Sequence, residues 1–232
     1  MIVKSYIPNF ITLLNLFSGC VAVIFALQGN MKLTALFVCL GIFFDFFDGF
    51  VARKLNVQSE LGVQLDSLAD MVTSGLVPGL VLFYLLGLVP QHFVDNSNLL
   101  PYFGLLVTLA SAYRLANFNI STNQSDAFIG LPTPANTLLI ISLPLILEYQ
   151  NSDAMNTIIL NPWFLIVLTL LSCYLLNAPV KLIALKFKTR SFKDNVSRYI
   201  LIILSVVILA VFQFAGIPLI IVTYIVLSIL SK

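Results

Sequence analysis

The stretch DFFDGFVARKLNVQSELGVQLDSLAD, residues 45–70, sets four aspartates between runs that are almost wholly apolar. Asp45 and Asp48 are spaced i, i+3 and share a helix face. Gly62, Asp66 and Asp70 are spaced i, i+4 and share another. Two helices joined by a short turn bring these faces to a similar depth, pointing at each other. One aspartate at the centre of a bilayer costs about 2.5–3.5 kcal/mol, and four held close together also repel. Arg53 and Lys54 are the only basic neighbours. A buried polar contact between helices would need one aspartate, not four, so the pattern points to neutralisation by divalent cations. Hard oxygen ligands suit Mg²⁺ or Mn²⁺. Four carboxylates suffice for two ions, and an ion pair can clamp a phosphoryl group during an in-line displacement.

The small residues among the acids fit a slot. Gly49 follows Asp48, Ala52 lies a turn further on, and Gly62 stands a turn before Asp66. Residues without bulk let a ligand or a neighbouring helix approach the backbone. Arg53 at the mouth suits a phosphate, which a guanidinium grips with two parallel hydrogen bonds. Lys54 reads as an interfacial anchor, and Arg53 shares that plainer alternative.

The elements that must position these residues are membrane helices. Of 232 residues, 59% are hydrophobic and 9% charged, and the mean hydropathy is +1.02. A soluble domain of this length carries far more charge. The sequence predicts an all-α polytopic membrane protein of about eight spans: 9–28, 32–53, 61–88, 99–117, 134–148, 161–185, 199–214 and 217–230. The third has an expected break near Pro78 and Gly79. The last two form a hairpin around AGIP, and the eighth is short enough to be re-entrant. With a cytoplasmic N-terminus, eleven of the twelve lysines and arginines fall on the cytoplasmic side and only Lys32 outside. That asymmetry predicts an N-in, C-in topology, with Trp163 near the outer interface. The aspartates then face the cytoplasm, at the inner membrane if the cell is bacterial.

The whole chain, 1–232, reads as a single integral membrane catalytic domain. Its active-site helices are about 32–53 and 61–88, and its C-terminal hairpin about 199–230. The first run is too long for a removable leader and no cleavage pattern follows it. Cys20, Cys39 and Cys173 lack metal-ligand spacing and read as small buried packing residues inside apolar runs. His92, the single histidine, reads as a solvated loop residue. The basic loop KLIALKFKTRSFKDNVSR suits contact with anionic lipid. Nothing suggests a nucleic-acid partner. Span surfaces rich in Phe and Leu leave room for a homodimer.

As a pattern, residues 45–70 read D-x2-D-G-x2-A-R-x8-G-x3-D-x3-D, which resembles the signature of the CDP-alcohol phosphatidyltransferase family. All eight fixed residues stand at the family's spacing: Asp45, Asp48, Gly49, Ala52, Arg53, Gly62, Asp66 and Asp70. The resemblance implies transfer of a substituted phosphate from a CDP-linked donor to an alcohol, with release of CMP. It implies that Asp45, Asp48, Asp66 and Asp70 bind a metal pair and that Asp70 also takes the acceptor's proton. Gly49, Ala52, Arg53, Ser59 and Gly62 would line the CDP site. Asn9 and Thr12, in the opening PNFIT, would face the nucleotide, with capping of the first helix as the alternative. DSLAD (66–70), YRLANFN (113–119) and FIGLPTPAN (128–136) are similar to the membrane-embedded, serine-accepting branch of the family. This implies CDP-diacylglycerol and L-serine as substrates, with Arg114, Asn117 and Asn119 on the acceptor side. Arg114 has an interfacial-anchor alternative of equal weight.

Three alternatives stand beside this reading. The same chemistry suits another acceptor, glycerol 3-phosphate or inositol. An intramembrane prenyltransferase also uses aspartate-rich helices, but in separated pairs. A cation transporter would place its carboxylates near the midplane at a repeat interface, whereas these lie near one face.

Overall fold

The computed structural model describes residues 2–89, 99–120, 128–183 and 195–230. His92 and the basic residues Lys186, Lys188, Arg190, Lys193 and Lys232 lie outside them. Helix α1 runs over Ile2–Leu27 and α2 over Met31–Leu55, turning at Gly29, whose φ is 74°. Asn30 caps α2 by accepting from the Leu33 N–H at 3.2 Å. At the other end Asn56 adopts the left-handed conformation, and its N–H closes onto the carbonyls of Ala52 and Arg53. Ser59 then caps α3 (Glu60–Asp70), accepting from the Gly62 N–H at 3.1 Å. These local signals fix the short turn that carries the chain from one acidic helix to the next.

Helix α3 runs without a gap into a π-helical segment, Met71–Leu76, and then α4, Val77–Gly87. The expected break thus lies one turn before Pro78 and takes the form of a widened turn rather than an interruption. Proline has no N–H for the carbonyl four residues back. That carbonyl, on Ser74, lies 2.9 Å from the Thr137 hydroxyl, whose one proton it shares with the Thr133 carbonyl at the same distance. The neighbouring Gly75 carbonyl accepts from Thr108 at 3.1 Å. The two side chains come from α5 (Leu106–Ile120, preceded by a 3₁₀ turn at Leu100–Leu105) and α6 (Thr133–Tyr149).

Helix α4 is the centre of the bundle. Val77, Val81, Leu82 and Leu85 are fully buried against Val107, Ile140, Leu165 and Leu176. A helix that is apolar all round and buried belongs at such a centre. The outer surface is equally apolar: Phe43, Phe46, Phe47 and Phe50 of α2 are exposed, as are Ile203, Val206 and Val211 of α9 (Val196–Phe212). Cys20 and Cys39 lie on this outer surface too, contrary to their reading as buried packing residues. In a membrane protein an apolar position is as often turned to lipid as to the core, so hydropathy alone did not place them.

Span six ends early. After the short α7 (Asp153–Ile159), α8 runs over Pro162–Asn177 and stops before Pro179. Ala178, which precedes that proline, is extended, as the proline ring demands of its neighbour. Beyond it, β2 (Lys181–Leu182) pairs antiparallel with β1 (Phe128–Ile129). Arg114 staples this region to α5: its Nη1 donates to the carbonyls of Ile129 (2.9 Å) and Leu176, and its Nη2 to that of Gly130 (3.3 Å).

The apolar stretch Arg198–Leu230 holds α9 and α10 (Gly216–Leu230), with a 3₁₀ turn at Gln213–Ala215 between them. Gln213, at φ 48°, reverses the chain. Gly216 packs so close that an added Cβ would stand 2.8 Å from the Ile208 carbonyl oxygen. By length and composition four helical stretches among the described residues can cross a membrane, or five if the bent pair α7–α8 is one span. The chain is an all-α protein of the integral membrane type.

Candidate active site

Helix α1 packs against both α2 and α3. One carboxylate oxygen each from Asp45, Asp48 and Asp66 falls within 4.8 Å of the others. Asp48 is the most enclosed, at 5% exposure, and Asp45, Asp66 and Asp70 are half-buried. Among the described residues no lysine or arginine lies within ion-pair distance of any of the four; the one such pair, Lys32–Glu148 at 2.9 Å, joins the start of α2 to the end of α6. At an effective dielectric of about 20, two charged carboxylates at that separation repel by roughly 3 kcal/mol. The Asp66 Oδ1 atom is buried without a hydrogen-bond partner. A tight set of hard oxygens, one of them orphaned, fits a divalent cation. Asp45, Asp48 and Asp66 are the residues placed to hold one.

Helix α1 orients the acids. The Thr12 hydroxyl donates to Asp48 Oδ2 at 2.5 Å, with the Pro8 carbonyl at 3.1 Å as the weaker acceptor. Asn15 donates through Nδ2 to Asp70 Oδ1 at 3.2 Å. The Thr73 hydroxyl donates to Asn15 Oδ1 at 2.8 Å, which fixes the amide so that its NH₂ faces Asp70. This relay needs close packing beneath it: a Cβ on Gly41 would stand 2.9 Å from Asn15 Oδ1 and 2.6 Å from Thr73 Cγ2. Asn15 was not among the expected site residues. Its signal was present as Asn9, Thr12 and Asn15, a polar stripe at i, i+3, i+6 through an apolar run.

The other expected residues fall in three groups. Asn9 and Thr12 stand well inside α1, which begins at Ile2, so the helix-capping alternative does not hold. Asn9 Oδ1 lies beside Gly62, 3.4 Å from where its Cβ would be, and Ser59 Oγ lies at 3.2 Å from the same point. Arg53 is exposed and lies over Gly49, its Nη1 3.2 Å from a Cβ built there. Gly49 and Arg53 thus lie together on α2, and Asn9, Ser59 and Gly62 lie together where α1 meets the start of α3. On the third side, Asn119 ties α5 to α3, accepting from Ser67 Oγ at 2.9 Å and donating to Gln64 Oε1 at 3.2 Å. Asn117 is exposed on the same last turns of α5, and Arg114 is engaged with the carbonyls already described.

Four acids and a polar stripe thus stand together at one end of an apolar helix bundle. The chain belongs to the CDP-alcohol phosphatidyltransferase family, whose model matches residues 5–175. It is 37% identical over 139 residues to the CDP-diacylglycerol–serine O-phosphatidyltransferase of Bacillus subtilis (strain 168), covering 60% of this chain and 75% of that one. The protein of the same name from Helicobacter pylori (strain J99) is 34% identical over 136 residues, 58% of this chain and 55% of that one. The archaetidylserine synthase of Methanothermobacter thermautotrophicus is 28% identical over 151 residues, 64% and 61%. The chain therefore spans three quarters of the first relative but little more than half of the second.

Proposed function

We propose that the chain transfers the phosphatidyl group of CDP-diacylglycerol to the hydroxyl of L-serine, giving phosphatidylserine and CMP. The observation that carries this is the convergence of Asp45, Asp48 and Asp66, within a chain whose relatives are named for that reaction. Family membership sets aside the prenyltransferase and transporter alternatives.

In this reading Asp45, Asp48, Asp66 and Asp70 would hold two Mg²⁺ or Mn²⁺ ions, which would supply electrostatic stabilisation for phosphoryl transfer. The acyl chains lie in the bilayer while the nucleotide sits in the mouth. Gly49, Ala52 and Gly62 leave room for the diphosphate; Arg53, Asn9, Thr12 and Ser59 surround it. Asp70, oriented by Asn15, accepts the proton of the serine hydroxyl. That oxygen bonds to the lipid-linked phosphorus as the bond to the CMP oxygen breaks. An ordinary carboxylate is a weak base for an alcohol, so positioning supplies much of the rate. Arg114, Asn117 and Asn119 form the acceptor side, where Arg114 and Asn119 act by holding the wall in shape.

The finer topology belongs to the same reading. Eight crossings with both termini cytoplasmic put the aspartates and Arg53 at the cytoplasmic face and Lys32 outside, as the charge asymmetry requires. The whole chain acts as one catalytic domain, and its apolar outer faces suit a homodimer.

An acceptor screen tests this function. Purified protein in detergent receives CDP-diacylglycerol and Mg²⁺ or Mn²⁺, then serine, glycerol 3-phosphate or inositol in turn, and CMP release is measured. Release with serine alone is the expected result. Release with another acceptor would keep the aspartate chemistry and discard serine.

A further inference from the structure

Helix α10 lies beyond residue 175, where the family match ends, yet it grips a segment that leads back to the acidic helices. Ile183, one residue past β2, has both backbone groups bound by α10. Its carbonyl accepts from the Tyr224 hydroxyl at 3.0 Å, and its N–H donates to Ser228 Oγ at 3.2 Å. Tyr224 and Ser228 are spaced i, i+4 on one face, and the Ser228 hydroxyl donates to the Tyr224 carbonyl at 2.6 Å. Both are enclosed, at 8% and 2% exposure. A backbone N–H and carbonyl that leave a strand in apolar surroundings need partners, and two side chains of α10 supply them. Tyr224 also packs with Leu131, Leu182, Leu201 and Ile221 in a small core separate from the one around α4.

From Ile183 the contacts run back towards the aspartates. In the β1–β2 pair Leu182 stands opposite Phe128 and Lys181 opposite Ile129. The Gly130 N–H donates to the Val180 carbonyl and the Leu131 N–H to that of Leu175, each at 2.8 Å. The paired segment presents the carbonyls of Ile129, Gly130 and Leu176 to Arg114. Gly130, at φ 70°, is seated so closely that a Cβ there would stand 2.6 Å from both Arg114 Nη1 and the Leu176 carbonyl oxygen. The segment therefore cannot shift without disturbing the guanidinium. Further along α5, Asn119 holds Ser67 and Gln64 of α3, and Ser67 is the neighbour of Asp66.

We propose that Tyr224 and Ser228 are positioning residues for the transfer reaction. By fixing Ile183 they hold the β1–β2 pair, and through Arg114 and α5 they hold α3 and its aspartates in place. This rests on reading the aspartates as the reacting centre, not on which alcohol accepts. Hydrogen-bond networks and rigid helices are the physical carriers of such coupling. Helix α10 is a brace that acts on the site without touching substrate.

The test is CMP release by the full chain in detergent, at saturating substrates and well below the unfolding midpoint, for Tyr224→Phe, Ser228→Ala and Ser228→Thr. Loss of either hydroxyl should lower kcat about 2- to 30-fold, the usual span for residues that act through a packed network. Ser228→Thr keeps a hydroxyl and should retain most of the activity. A role in stability alone would lower the unfolding midpoint and leave kcat at that temperature unchanged. The path is tested by repeating Tyr224→Phe in an Asn119→Ala background. There its effect should be much smaller, because the link from α5 to α3 is already cut. Unchanged kcat in both hydroxyl-free variants, or losses that simply multiply in the double variant, would overturn the inference and leave the proposed function standing. If the unaltered chain released no CMP with serine, glycerol 3-phosphate or inositol, the reading of the site would fall and the inference with it.

Discussion

Asp70 is held by a single amide whose orientation is dictated from the next turn down, through Thr73 and Asn15. If Asp70 is the base, Asp70→Asn should lower turnover by about 10²–10⁴-fold, the usual contribution of a general base. The unfolding temperature should be unmoved. Asn15→Leu tests the relay instead. It keeps the carboxylate but removes its orienting donor, and such outer partners typically contribute about 10–100-fold. The Asn15 variant should therefore retain measurable CMP release where the Asp70 variant does not. Equal loss in both would mean that Asn15 touches substrate directly. At this scale the four aspartates were readable in sequence because charge is rare in an apolar run and its spacing is local. Asn15 was less so, since one amide in a membrane helix has many plain uses. The carbonyls that hold Arg114 come from residues as far as 62 positions away, and no local pattern reports them.

Among the elements, the continuous run from Glu60 to Gly87 matters most, because its π-helical segment joins the acidic helix to the central apolar one. Proline chemistry foretold an irregularity there but not its form. Whether a helix breaks or widens depends on who satisfies the freed carbonyl, and here the donor is on α6. Thr137→Val keeps the shape and removes the hydroxyl. A buried acceptor left without its donor costs about 1–3 kcal/mol, so the variant should unfold earlier in a detergent melt. Its serine turnover should fall as well, since Ser74 follows Asp70 on this segment. An unchanged melt would mean that another donor serves the Ser74 carbonyl. Helix positions were legible for a related reason: each expected span overlaps a helix, because length and apolarity are sufficient signals in a bilayer. The tail of span six was misread because its apolar residues continue past Pro179, where the backbone does not.

For the whole molecule, the two ends differ in charge chemistry. One carries the aspartates with Arg53 and Lys54; the other carries Lys32, paired with Glu148 at 2.9 Å and lying 5.1 Å from the Tyr149 ring centroid. Hydropathy does not orient this axis, whereas the count of basic residues predicts an orientation, because lysine and arginine resist translocation. The prediction is that a membrane-impermeant maleimide reaches the two ends from opposite sides. The native thiols must first be removed, Cys20 and Cys39 because they lie on the outer surface of α1 and α2 and Cys173 because it is half-buried. In that background, Gln58→Cys, in the exposed turn between the acidic helices, should label only in inverted vesicles or permeabilised cells. Gln28→Cys, exposed at the opposite turn, should label in intact cells. The reverse pattern would put the carboxylates outside, away from cytoplasmic CDP-linked donors and free amino acids, and the proposed reaction would lose its substrates. Labelling of both positions from one side would instead break the assignment of α1 and α2 as full crossings. The orientation of the molecule and the chemistry of its site thus stand or fall on the same pair of thiols.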